Sequence, residues 1–238
     1  MNSATFTCLF LSSSIAFGTV FLNEIRIDQP GGDDDEYVEL FSDDPGNDTL
    51  AGLSLIVIGD GAGASGVIEN VTDFSAVAAP FASDPYFLVA EASFSIGVAD
   101  FTTTLGFENS DNVTYLLVDG FTGMGGDDLD TDDDGVLDTT PWASLADVIG
   151  LNEDPGGIPD GDGEFGYGDA LGTSIGPDGT FVPGHVYRVG DAPGDWAIGE
   201  FDPATGVDTP GAANVVPEPS SALLVFFGLV GLANRRRR

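Results

Sequence analysis

An all-β sandwich is the fold the sequence predicts, on three observations. Short runs of alternating or wholly apolar residues recur along the middle of the chain, 34 glycines and 14 prolines punctuate them, and a single segment carries helical spacing. Many brief strands between Gly- and Pro-rich turns build sandwiches or barrels. The first run is Val20 to Asp28 (VFLNEIRID), where Phe21, Ile25 and Ile27 are expected on one face and Leu22 breaks the pattern. QPGGDDD then turns the chain into Glu36 to Phe41 (EYVELF), with Val38 and Leu40 facing one way and Tyr37, Glu39 and Phe41 the other. The turn DDPGND leads to Leu53 to Ile58 (LSLIVI), apolar enough for a buried strand. Further strands are predicted at Tyr86 to Ala90, Val113 to Val118, Val186 to Val189 and Trp196 to Phe201, and a short surface helix at Ala143 to Leu151 (ASLADVIGL).

Both ends read as addresses. Phe6 to Val20 (FTCLFLSSSIAFGTV) suits the apolar core of an export signal, residues 1–18, with a small-residue cleavage site at Ala16 and Gly18. No Lys or Arg precedes the run, so either the signal is atypical or the true start lies elsewhere. Cys8 falls inside it without a lipobox-like sequence, so lipidation is not expected and the exported body contains no cysteine. The last residues, 215–238, combine a break at Pro217, Glu218 and Pro219, an apolar run from Ala222 to Ala233, and Arg235, Arg236, Arg237 and Arg238. Twelve helical residues span roughly 18 Å against about 30 Å of hydrocarbon, which suits a temporary transmembrane anchor. The arginines at the cytoplasmic headgroups place everything before Val215 outside. This tail resembles the PEP-CTERM sorting signal of Gram-negative bacteria. The resemblance implies transient inner-membrane anchoring, processing by an exosortase, and residence at the cell surface or in the extracellular matrix.

The body between the two ends, about 195 residues, is long enough for one domain that buries around 70% of its unfolded surface. The whole chain carries 40 acidic residues against 6 basic, a net charge of −34, and has no lysine. Upstream of the tail the only cations are Arg26 and Arg188, against 39 acids between Glu24 and Asp208. Nucleic acid is excluded as a partner, because phosphate contacts need Lys and Arg. Two explanations stand for the acidity: binding of cations or cation-bridged polymers, or solubility in a salty exterior.

Four blocks carry a second resemblance: LNEI at Leu22 to Ile25, EYVELF, LAGLSLIVIGD from Leu50 to Asp60, and TPGAAN at Thr209 to Asn214. Together they resemble the lamin-tail domain of secreted bacterial proteins, framing residues 19–214. That resemblance implies an immunoglobulin-like β-sandwich, with the Gly/Asp-rich stretch from about 120 to 179 as an insertion between late strands.

The insertion holds the strongest chemical signal, DDLDTDDDGVLD. Asp130, Asp132 and Asp134 alternate, Gly135 permits a sharp turn, the Val136 carbonyl can supply an oxygen, and Asp138 follows four residues after Asp134. Alternate carboxylates at this spacing converge on a hard cation, and Ca²⁺ is the expected ligand. Position 12 is Pro141 where a complete EF-hand has Glu, so Asp128 or a neighbouring loop must complete the shell. Asp160, Asp162 and Glu164 form a weaker cluster, and Asp33, Asp34 and Asp35 read as a charged turn. Trp142 beside the acidic loop is the candidate ligand contact, while Trp196 reads as core. Sequons at Asn47, Asn70 and Asn112 read as chance products of Thr-rich strands and turns.

Catalysis is not expected. Ser174 in GTSIG has the pattern of a nucleophile elbow, but Gly-Tyr-Gly precedes it and Pro-Asp-Gly follows, where a strand and a helix are required. His185 is the sole histidine, so zinc has no plausible site. The expectation is a non-catalytic, calcium-stabilised binding or structural module, with exosortase as processing partner and extracellular polysaccharide or surface proteins as candidate partners. Its rivals are a carbohydrate-binding module of the exopolysaccharide and, more remotely, an accessory domain of a secreted nuclease or phosphoesterase.

Overall fold

The computed structural model describes residues 20–59, 65–81, 84–158, 164–206 and 208–216. The expected signal peptide and nearly all of the sorting tail lie outside them. Among these described residues, eleven strands form two sheets. The first has the order β11 (Trp196–Ile198), β10 (His185–Arg188), β1 (Val20–Arg26), β2 (Tyr37–Ser42), β5 (Tyr86–Ala90), β6 (Phe101–Thr102). The second runs β4 (Val67–Asp73), β3 (Leu53–Gly59), β7 (Val113–Asp119), β8 (Ser144–Leu151), β9 (Ser174–Ile175). Pairing is antiparallel except for β5 with β6 and β8 with β9. Helix is confined to α1 (Gly168–Leu171) and a 3₁₀ turn at Pro155–Gly157 among the described residues.

The main core fills the space between the sheets: Leu22, Ile25, Val38 and Leu40 from the first meet Leu55, Val57, Tyr115 and Leu117 from the second. Burial does not stop there. Ile56, Ile58, Leu116 and Val118 point the other way and pack under residues 121–145 and 165–171 on the outside of the second sheet. A strand buried on both faces loses its alternation, which is why LSLIVI is apolar at almost every position.

Two sequence expectations change for the same physical reason, a β-bulge. In β1 the register shifts between Leu22 and Glu24. The extra residue, Asn23, resets the phase, so Leu22 joins Ile25 and Ile27 in the core and Phe21, half-exposed, does not. In the segment predicted as helix, β8 is a strand of the second sheet, bonded to β7 on one side and β9 on the other. A register shift opposite Leu117 and Val118 lies between Leu145 and Asp147. Val148 faces the outer cluster while Ile149 and Leu151 face the main core. Bulge and two-sided burial together imitate helical spacing in ASLADVIGL. Residues 120–179, expected as an insertion, thus supply β8 and β9 to the sheet.

The sheets are cross-linked at one end by Arg188 and Asp147. The guanidinium donates to both Asp147 oxygens (3.0 and 2.8 Å) and to the carbonyls of Leu22 and Gly194, while the Leu22 N–H also donates to Asp147 (2.9 Å). Arg188 lies over the Trp196 ring at 4.6 Å, adding a cation–π contact that holds β11 to β10.

Candidate functional site

The acidic loop is pinned to the outside of the second sheet. Leu129 is buried in the outer cluster and Leu137 packs against it, while the Asp138 N–H donates to the Leu129 carbonyl (2.7 Å). Gly135 has φ 84°, and a Cβ there would lie 2.6 Å from Cδ1 of Phe165, so both the turn and the space demand glycine. Asp130 is wholly buried. It accepts from the Tyr167 hydroxyl (2.7 Å) and the N–H groups of Asp134 (3.2 Å) and Gly135 (2.9 Å).

Of the carboxylates expected to bind metal, Asp130, Asp132 and Asp138 converge, each offering an oxygen within 4.8 Å of the others. Asp134 turns back to accept the Val136 N–H (2.9 Å), and Asp128 accepts the Asp130 N–H (3.1 Å). The crowding is electrostatically costly. Asp132 is fully exposed, yet its carboxyl is raised above the ordinary aspartate value, first by Asp134 and then by slight desolvation and by Asp138 and Asp130. A hard cation between the three convergent oxygens removes that repulsion, and oxygen is the donor Ca²⁺ prefers.

The other expected residues fall elsewhere. Trp142 is half-buried against the outer cluster, so its ring is largely committed to packing. Asp160 and Asp162 lie outside the described residues, and the Glu164 carbonyl accepts from Asn112 (2.7 Å). Asp33 accepts from Asn109 (3.3 Å), and Asp35, buried, accepts from the Ser95 backbone, as a structural turn does. The Ser174 hydroxyl donates to Asp169 on the second sheet, whereas His185 binds Glu24 on the first, so the two are not brought together.

Sequence reasoning misses a second constellation, a buried polar layer on the outside of the first sheet. Glu24, Arg26, Tyr37, Glu39 and His185 project there from β1, β2 and β10. Residues 199–206 and 208–216 lie over them as a strap. Arg26 donates to both oxygens of Asp208 (2.6 and 2.7 Å) and to the carbonyls of Asp28, Phe201 and Glu200. Glu24 accepts from the Tyr37 hydroxyl (2.6 Å) and from the Thr209 N–H and hydroxyl (3.0 and 2.9 Å), and shares a hydrogen bond with His185 Nε2 (2.9 Å). Glu39 accepts from Asn23 (2.8 Å) and the Gly211 N–H (2.6 Å), and Asn214 donates to the Asn23 carbonyl (3.1 Å). LNEI, EYVELF and TPGAAN, apart in sequence, are thus bonded to one another. Burial drives the Glu39 carboxyl up to about 8 against the Asn23 hydrogen bond, with Glu24 adding to the rise.

Glu24, His185 and Asp208 also offer atoms close enough to share a metal. Arg26 already holds both Asp208 oxygens, so the cluster is an ion-pair network. The signal that points to it is the pair of lone arginines among 39 acids, each within an apolar strand and each needing an internal partner. Arg26, Arg188 and His185 are all buried, so between residues 20 and 216 the surface carries acidic side chains and no basic one.

No curated protein and no solved structure matches the chain. Residues 215–238 match the PEP-CTERM protein-sorting motif. The chain thus ends in the signal that marks a protein for export and for membrane-associated sorting to the cell surface by an exosortase.

Proposed function

We propose that this is a non-catalytic surface or matrix protein whose body is a calcium-stabilised, lamin-tail-type sandwich, delivered by its tail and acting as a binding or structural module. The observation that carries the reading is the sorting motif joined to a body with a purely anionic surface. Such a surface meets anionic polymers of a matrix through divalent cations, since it has no ammonium or guanidinium of its own to offer. The lamin-tail reading is supported by the bonding of three of its four marker blocks into one network, and the calcium reading by the convergence of Asp130, Asp132 and Asp138.

The tail is tested by mass spectrometry of the surface fraction. The expected mature form lacks the residues after roughly Pro219; recovery there of chains ending at Arg238 rejects processing. For the loop, 10 mM Ca²⁺ with a dissociation constant of about 10⁻⁴ to 10⁻³ M should stabilise the body by roughly 1.4–2.7 kcal/mol, read as a rise in Tm. The double substitution Asp132→Asn and Asp138→Asn removes the two exposed ligands, spares buried Asp130, and should abolish the rise. Equal Tm with calcium and with chelator in the unsubstituted protein discards the site.

A further inference from the structure

Resting on the membrane insertion of the tail proposed above, we propose that the charge-free face formed by residues 92–99 and 209–216 lies against the phospholipid bilayer while the tail is in it. The two segments cover the outside of the first sheet side by side, and a Cβ on Gly97 would come within 3.2 Å of Pro210. Neither ASFSIGVA nor TPGAANVV contains a charged residue, on a body with 39 acids. The acids beneath them are occupied: Asp35 accepts from the Ser95 N–H, Glu24 from Thr209, Glu39 from the Gly211 N–H, and Asp191 from Asn23 and Asn214 at Oδ1 and from Tyr86 at Oδ2. What the face offers to solvent is apolar or small. Val98 is 88% exposed and Val216 is 65% exposed, with Ala212 and Ala213 of the strap also exposed.

Chain length brings this face to the membrane. Asn214 is buried and hydrogen-bonded at its backbone and side chain, so the body holds the chain until two residues before Val216. Five residues, Pro217 to Ser221, separate Val216 from the apolar run that starts at Ala222. Even fully extended, those six Cα steps reach about 20 Å. The polar headgroup layer takes roughly 5–8 Å of that distance. The apolar run itself is shorter than the hydrocarbon, which draws the connecting residues inward. The corner from which the tail leaves is therefore close to the lipid. Any other side turned toward an anionic leaflet would present carboxylates to phosphates; this one presents valine, alanine and backbone.

The test uses the full chain with Cys8→Ser and one new cysteine, carrying an environment-sensitive fluorophore, in vesicles of phosphatidylethanolamine and phosphatidylglycerol. A label at Val98→Cys should shift to the blue on incorporation and be quenched by headgroup-level nitroxide lipids. One at Met124→Cys, exposed on the outside of the opposite sheet, should do neither. With the label at Ala213→Cys, the added substitution Val98→Asp should weaken the blue shift without changing the melting temperature. Vesicle-bound chain whose label at 98 stays as water-exposed as that at 124 overturns the proposal and leaves the tail reading intact. Shielding of position 98 only when processing enzyme is also in the membrane overturns it in favour of a protein partner. A chain that fails to float with vesicles removes the tether and both readings with it.

Discussion

Replacing Arg26 by Met lowers the unfolding free energy by about 3–5 kcal/mol, the cost of leaving a buried partner charge without its counterion. Arg26 is completely buried and closes five hydrogen bonds: two to Asp208 and three to carbonyls of Asp28, Glu200 and Phe201. Without it Asp208 is left beside Glu24 and Tyr37, and three carbonyls lose a donor. Arg26→Lys recovers little, because one ammonium cannot make the two parallel bonds to Asp208 and reach the carbonyls as well. Adding Asp208→Asn to Arg26→Met restores part of the loss by removing the stranded charge, a non-additivity that a double-mutant cycle measures. Urea denaturation provides the numbers, and limited proteolysis should show residues 199–216 cut first. A loss below about 1 kcal/mol would mean the strap is held by its other bonds.

Mild acid stabilises this protein. Burial raises Glu39 to about 8 from an unfolded value of 4.5, and Glu36, buried beneath Phe107, to about 7. Between the unfolded and folded values the native chain holds protons that the unfolded chain has released. The stabilisation is fully present below pH 4.5 and is lost as pH rises to about 8. Glu39 alone contributes on the order of 5 kcal/mol over that window. Denaturation in chelator at pH 5 and pH 8.5 should show the native state markedly stronger at the lower pH. Glu39→Gln should flatten the profile, because it removes the group whose proton is exchanged. Identical slopes in the two proteins would place the pH dependence in the surface carboxylates instead.

What was legible in the sequence follows from how many faces a segment buries. Tyr86 to Ala90 is predicted residue for residue, and the apolar runs at 53–58 and 113–118 are found within a residue, because continuous hydrophobicity bounded by turns has few other readings. β4 was missed because VIENVTD is an edge strand with Glu69 and Asn70 at its centre, its outer side bonded to residues 126–128 and 104–105. β8 was read as helix through its bulge. In the loop, the spacing points to Asp128, Asp130, Asp132, Asp134 and Asp138 alike; only Asp130, Asp132 and Asp138 converge, and the turning back of Asp134 depends on a Val136 N–H that spacing does not encode. The polar layer is signalled only by the two lone arginines. Glu24 and Glu39 occupy positions that alternation assigns to solvent, and only the return of Thr209 to Asn214 across the sheet encloses them.

The hydrogen bond from Asn214 to the Asn23 carbonyl has a topological result. It ties the last described residues of the body to its first strand, so the polypeptide from Asn23 to Asn214 is a loop closed on itself. Tension on the chain beyond Val216 is therefore passed through Asn214 to β1, and the rest of the sandwich hangs behind that closure as a bight. Severing the tail leaves that closure where it was, and the cut asks neither sheet to rotate or unthread.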